Sequence, residues 1–160
     1  MEKDKRKIKR WLLFFMIALV FSGLTAIPVE WELSVMMPFF SSDSGIGYWL
    51  GKVYRGISET NGKYPFLLYG YDWLAFAHFV LALVFIGPYR DPVRNRWVVE
   101  FGIYACFLII PFALIAGHFR GIPFGWRLID CSFGIIGLIP LVICYKKIRK
   151  LELLNQNQDI

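Results

Sequence analysis

Charged residues are scarce in this chain of 160 residues, and they are distributed unevenly along it. Asp, Glu, Lys and Arg make up 19% of the sequence, whereas apolar residues make up 57% and the mean hydropathy is +0.50. This composition is too apolar for a soluble domain. Because the charges cluster at the ends of apolar runs, the net charge of +6 does not indicate a nucleic-acid partner. The sequence is typical of a membrane protein.

Motifs of several enzyme and metal-binding classes are also missing. The sequence has no glycine-rich phosphate-binding loop, no HExxH zinc motif and no GxSxG nucleophile motif. Cys106, Cys131 and Cys144 have neither metal nor redox spacing and are expected to behave as small apolar residues. His78 and His118 are predicted to lie at different depths, so they do not form a shared metal site. We therefore predict no metal, haem or other cofactor.

Four long apolar runs dominate the rest of the sequence. A membrane span needs about 20 apolar residues, and its backbone groups must be paired within a helix because lipid offers no partners. The sequence therefore predicts an all-α fold, in which residues 1–160 form a single membrane-embedded domain with four transmembrane helices. The predicted spans are residues 11–27, 65–86, 97–117 and 128–145.

Lys and Arg set the predicted orientation, because such residues near the ends of spans are retained in the cytoplasm. If both termini are cytoplasmic, 13 of the 18 basic residues lie on that side and five lie outside. The sequence thus predicts a multi-pass protein of the cytoplasmic membrane with both termini inside. Its predicted partners are membrane lipids and, in one interpretation, another membrane protein.

The first apolar run also has the general form of a signal peptide, since a basic tail precedes an apolar core. A cut after Ala26 would place Leu24 at a position where a small residue is expected. The run is also longer than the usual signal core. We therefore expect this segment to be retained as a membrane anchor.

The longest connection, residues 28–64, is predicted to contain a short amphipathic helix outside the membrane. Its apolar residues recur at helical spacing, and three residues before them are candidate helix caps. The apolar positions are Ile46, Trp49, Leu50, Val53, Tyr54 and Ile57, and the candidate caps are Ser42, Asp43 and Ser44. Such a helix is expected to lie in the outer interface or to cover the mouth of the bundle.

Two further predictions concern the cytoplasmic ends of the spans. Arg96 and Glu100 are four residues apart, so they are expected to form an ion pair across one helical turn. After the basic residues that close the fourth span, residues 151–160 are predicted to form a short polar tail.

Ionisable residues within or next to the spans are the candidates for a functional site, because burying them in lipid is costly without partners. Asp72 and Asp130 lie in the outer halves of the second and fourth spans. His118, Arg120 and Arg127 come from the connection at the same predicted depth. We expect these five residues to converge on one ligand-binding site. Because Arg127 and Asp130 are three apart on one helix, they are also expected to form an ion pair.

Such a cluster allows three different functions. Its guanidinium groups could bind an anionic lipid headgroup or a small acid. His118 and a carboxylate could carry out acid–base chemistry. A set of ion pairs could instead fix the helix register without any ligand, as in a structural or assembly subunit of a membrane complex.

Overall fold

The computed structural model describes residues 2–41 and 44–156, and within these ranges every regular element is a helix. This confirms the all-α prediction. Short 3₁₀ turns cover Met37–Phe39 and Pro65–Leu68. The α-helices are α1 (Glu2–Ala26), α2 (Val29–Met36), α3 (Gly45–Lys63), α4 (Tyr69–Val84), α5 (Ile86–Arg90), α6 (Arg96–Phe119) and α7 (Phe124–Gln156).

Four helical segments are long and apolar enough to cross a membrane, which agrees with the number and order of the predicted spans. These segments are Glu2–Ala26, Pro65–Arg90, Arg96–Phe119 and Phe124–Asn155. The last one exceeds its prediction, because α7 continues for 33 residues, a length of about 50 Å.

The predicted polar tail was wrong over its first six residues, which form the end of α7. Leu141, Cys144, Ile148 and Leu151 follow the spacing of one helix face, and all four are almost completely buried. The apolar face therefore extends past the basic residues at which the sequence indicated an end. Residues 157–160 of the predicted tail lie outside the described residues.

The chain divides into two compact units. The first unit comprises Met1–Ile17 and Ala82–Ile160, and it contains the start of α1 together with α5, α6 and α7. The second unit, Ala18–Leu81, contains the end of α1, α2, α3 and most of α4.

Helices α6 and α7 form the centre of the first unit as an antiparallel hairpin. A Cβ atom added to Gly134 would lie 2.5 Å from the carbonyl oxygen of Cys106, so the two backbones approach closely at this point. On the same side of α7, Leu141 is buried and contacts the position of Gly102. The glycine-lined face of the fourth span thus packs closely, as small residues allow in membrane helices.

The first part of α1 packs against this hairpin through apolar side chains. Ile8 and Leu12 are completely buried, and the ring of Phe15 lies 4.8 Å from the ring of Phe85. The thiol of Cys144 lies 3.7 Å from the carbonyl oxygen of Ile8. These contacts tie the N-terminal segment to α7 within the first unit.

Ion pairs connect the helices of the first unit at the end where α1 and α6 begin and α7 ends. Lys147 Nζ lies 2.8 Å from Asp4 Oδ1. Arg96 bridges two carboxylates, with Nε 2.9 Å from Glu100 and Nη1 2.7 Å from Glu152. The predicted Arg96–Glu100 pair is confirmed, and the other two pairs were not anticipated. We call Asp4, Arg96, Glu100, Lys147 and Glu152 the paired end.

In the second unit, α3 begins with a side-chain cap. Ser44 Oγ accepts a hydrogen bond of 2.9 Å from the backbone N–H of Gly47, which satisfies a donor that the first helical turn leaves free. This confirms Ser44 as a cap, while Ser42 and Asp43 lie outside the described residues. Leu50 and Ile57 are buried on α3.

Helix α4 packs closely on the end of α1 in the same unit. Ala75 is 1% exposed, and a Cβ atom added to Gly23 would lie 3.0 Å from its carbonyl oxygen. The ring nitrogen Nδ1 of His78 donates a hydrogen bond of 2.8 Å to the carbonyl oxygen of Leu74. His78 is thereby bonded to its own helix, one turn back.

Candidate functional site

Arg127 is the most strongly held residue of the predicted site. Its Nη1 donates a hydrogen bond of 3.2 Å to the carbonyl oxygen of Leu114, and its guanidinium lies 5.3 Å from the centre of the Phe124 ring. The aliphatic stem fills the space beside Gly117, where an added Cβ would come within 2.6 Å of Cδ. The Nε atom is buried and has no hydrogen-bond partner among the described residues. Arg127 therefore joins α7 to the end of α6 while keeping its charge.

The predicted ion pair between Arg127 and Asp130 was wrong. Asp130 is half-buried in the first turns of α7, and no basic group of residues 2–41 and 44–156 forms an ion pair with it. The physical reason is competition, because the carbonyl of Leu114 and the ring of Phe124 hold the guanidinium towards α6. Sequence spacing permitted the pair, and tertiary contacts directed Arg127 elsewhere.

His118 and Arg120 are exposed where α6 ends. The helix closes with a left-handed residue, Gly121 (φ 67°), and two backbone hydrogen bonds that satisfy its last carbonyl groups. In these bonds Ile122 N–H donates to Gly117 and Gly121 N–H donates to His118. Only glycine adopts this φ without strain, so Gly121 fixes the turn that presents Arg120.

Asp72 lies in the second unit, whereas the other four predicted residues lie in the first. Asp72 is exposed and lines an open cavity of about 810 Å³ together with Glu30, Trp31, Tyr54 and other residues. On the wall of this cavity, Asn61 donates a hydrogen bond of 2.7 Å to Glu30. Two carboxylates line the cavity, so it disfavours an anion as ligand.

Glu30 and Asn61 were missed by sequence reasoning. They lie 31 residues apart, on α2 and α3, and neither occupies an apolar run. The sequence carries no signal that brings α2 and α3 together. Only the packing of the connection places the two residues on the wall of the cavity that Asp72 also lines.

Four of the predicted residues lie in the last turn of α6, in the connection that follows it, or in the first two turns of α7. We call His118, Arg120, Arg127 and Asp130 the hairpin-end cluster. Among the described residues, neither guanidinium of this cluster forms an ion pair. A planar guanidinium with free donors suits a carboxylate or phosphate group, so the chemistry of this cluster favours an anionic ligand.

Comparison with known proteins assigns no family to this chain. No family model, no curated protein and no solved structure matches it. The function is therefore inferred from the chemistry of the residues described above.

Proposed function

We propose that the chain is a multi-pass protein of the cytoplasmic membrane, with both termini in the cytoplasm. Four apolar helices support this topology, and so does the excess of Lys and Arg in the two terminal segments and in the connection before α6. Large apolar side chains, whose exposure to water is unfavourable, lie on the surface of the helices. Among them are Phe21, Phe112 and Phe133, each more than 60% exposed. In a bilayer these side chains face lipid tails.

Cysteine accessibility tests this orientation. Gly62→Cys and Asn155→Cys, placed in a chain whose native cysteines are replaced by Ala, put one reactive thiol on each proposed side. Position 62 has open space around it, and position 155 is exposed. In intact cells a membrane-impermeant maleimide should label position 62 alone. Labelling of position 155 would overturn the orientation.

In this topology the hairpin-end cluster lies at the outer surface, where we propose that it binds an anionic lipid headgroup or a small acid. The observation that carries the proposal is the unpaired charge of Arg120 and Arg127. An isolated guanidinium at a membrane surface attracts phosphate and carboxylate groups. His118 would add a hydrogen bond, and Asp130 stays a predicted member of the site, whereas Asp72 lines a cavity within the second unit.

The amphipathic role of α3 belongs to the same proposal. Leu50 and Ile57 are buried on one side of this helix, while Tyr48, Lys52 and Arg55 are exposed. Because the rest of the chain covers the apolar side of α3, its exposed cations can contact lipid headgroups at a membrane surface. We place α3 in the outer interface.

Arg120→Gln tests the ligand, because Arg120 is exposed and its loss should leave the helix packing intact. The matched control is Arg55→Gln, which removes one exposed cation from the same proposed side. Lipids and small acids that remain bound after gentle purification are quantified by mass spectrometry. We expect Arg120→Gln to lose a bound anion about tenfold at unchanged thermal stability. Equal retention in the two variants would contradict the proposal.

A second function, that of an assembly subunit, is favoured by the low burial of the spans. In the most apolar stretch of each span, only 17 to 28% of the residues are buried within the chain. The remaining surface is available to lipid or to another membrane protein. A partner protein that co-purifies at fixed stoichiometry with both variants would favour this alternative over a ligand at the hairpin-end cluster.

A further inference from the structure

A second concave site lies in the first unit, between the N-terminal part of α1 and the connection from α5 to α6. The cavity has a volume of about 590 Å³, within the usual range for small-molecule sites of roughly 300–1,000 Å³. Its wall includes five basic side chains: Lys5, Arg6, Lys9, Arg90 and Arg94. Asn155, near the end of α7, adds an amide.

The two carboxylates beside this cavity leave most of its positive charge unbalanced. Glu2 lies 3.8 Å from Lys5, and Asp91 accepts a hydrogen bond from the backbone N–H of Arg94. Arg6, Lys9, Arg90 and Arg94 form no ion pair with any described residue. The Nζ atom of Lys9 lies 5.5 Å from the centre of the Tyr89 ring, which holds this cation at the wall.

The proposed orientation in the membrane does not by itself require that the basic residues surround a cavity. Retention of Lys and Arg in the cytoplasm depends on their number near the spans, whereas here they surround one cavity. Lys3 and Lys7 in the same tail are exposed and do not line it. Basic residues around a cavity at this membrane face are the arrangement that binds phosphate-bearing headgroups.

We propose that this basic cavity binds a phosphate group, carried by an anionic phospholipid of the inner leaflet or by a soluble phosphate compound. Arg90 and Arg94 would contact the phosphate oxygens through their guanidinium groups, and Arg6 and Lys9 would supply the remaining charge. The site is independent of the hairpin-end cluster, because it lies at the opposite end of α6.

Two variants with equal charge test the proposal. Arg6→Gln with Lys9→Gln removes two cations from the cavity wall, while Lys3→Gln with Lys7→Gln removes two from the same tail outside it. The full-length proteins are placed in nanodiscs of equal parts phosphatidylcholine and phosphatidylglycerol, and retained lipid is counted by native mass spectrometry. We expect the cavity variant to retain about tenfold less phosphatidylglycerol than the control. Equal retention would overturn the proposal.

A second pair of variants covers the case in which the first cavity variant does not fold. Arg94→Gln changes the cavity wall, and Lys146→Gln removes an exposed cation from α7 outside it. Arg94→Gln should lose phosphatidylglycerol and Lys146→Gln should not, and the reverse result would reject the site. Inorganic phosphate added to the wild type distinguishes the two ligand sources. Displacement of the lipid at millimolar phosphate indicates a soluble phosphate compound, and resistance indicates a lipid headgroup.

Discussion

The two ends of the α6–α7 hairpin use charge in opposite ways. At the paired end, Arg96 contacts Glu100 and Glu152 at 2.9 and 2.7 Å. At the hairpin-end cluster, Arg127 bonds to a backbone carbonyl, and Asp130 forms no ion pair with any described residue. The residues of the paired end neutralise one another across helices, whereas the hairpin-end cluster keeps its cations available.

The comparison shows two uses of charged residues within the first unit. Ion pairs between α1, α6 and α7 fix the positions of three helices, which is a structural function. A guanidinium held by a carbonyl and an aromatic ring is not neutralised, as the proposed anionic ligand requires. The two ends therefore give opposite expectations in mutational experiments.

The largest loss of stability is expected from a substitution that forces α6 and α7 apart midway between these two ends. Gly134→Ala places a Cβ atom 2.5 Å from the backbone oxygen of Cys106, and a backbone atom cannot move aside at low cost. We expect a loss of about 1–3 kcal/mol in stability, measured by thermal unfolding in detergent. Gly125→Ala is the control, because a Cβ there meets nothing within 4 Å. Equal melting temperatures for the two variants would contradict the close approach of the helices.

At the paired end, we expect a loss of stability when the carboxylate of Glu152, which contacts two arginines, is removed. Glu152→Gln leaves Arg96 with Glu100 alone and removes the contact of Arg149 at 3.4 Å. The melting temperature should fall, and Arg96→Glu combined with Glu152→Arg should recover part of the loss relative to the single variants. Additive losses in this cycle would show that the pair contributes nothing.

A smaller and graded effect is expected for the two lysines near Asp4. Lys147 lies 2.8 Å from the carboxylate and is 24% exposed, whereas Lys150 lies 3.8 Å away and is 66% exposed. Lys147→Gln should lower the melting temperature clearly. Lys150→Gln should change the stability by less than about 0.5 kcal/mol, as exposed ion pairs usually do. Equal losses would mean that the net charge, and not the contact, determines stability.

The smallest expected quantity is the coupling between Arg127 and Asp130. Arg127→Asp should destabilise the protein by itself, because the stem packs beside Gly117 and Nη1 bonds to Leu114. Adding Asp130→Arg should recover none of this loss, since the two side chains are not partners. Thermal unfolding of both single variants and the double variant gives the coupling energy. Recovery of stability in the double variant would contradict this expectation and would support the ion pair that the sequence predicted.

The helices were predictable because their signals are local and long. Each span is a run of apolar residues, and the close-packing glycines follow the period of a helix. The Arg96–Glu100 pair was equally accessible, because one turn of helix determines it. Contacts between distant residues were not, since Glu152 lies 56 residues from Arg96 and Glu30 lies 31 from Asn61.

The candidate site shows the same limit. The sequence itself puts four of its five residues at or near one helix connection, but it indicates neither which partner Arg127 selects nor which cavity Asp72 lines. Those outcomes depend on the carbonyl of Leu114 and on the packing of α2 with α3. The basic cavity was also missed, because the sequence does not show that the N-terminal tail and the connection before α6 line the same cavity.

The contact between Asp4 and Lys147 also sets an order of events during synthesis. These residues are 143 positions apart, so the ribosome must add all the intervening residues after Asp4 before the two can meet. Until then the N-terminal tail has no partner on α7. The same holds for Ile8 and Cys144, 136 positions apart. The first unit therefore closes after translation of α7, so a nascent chain that stops before α7 lacks these closing contacts.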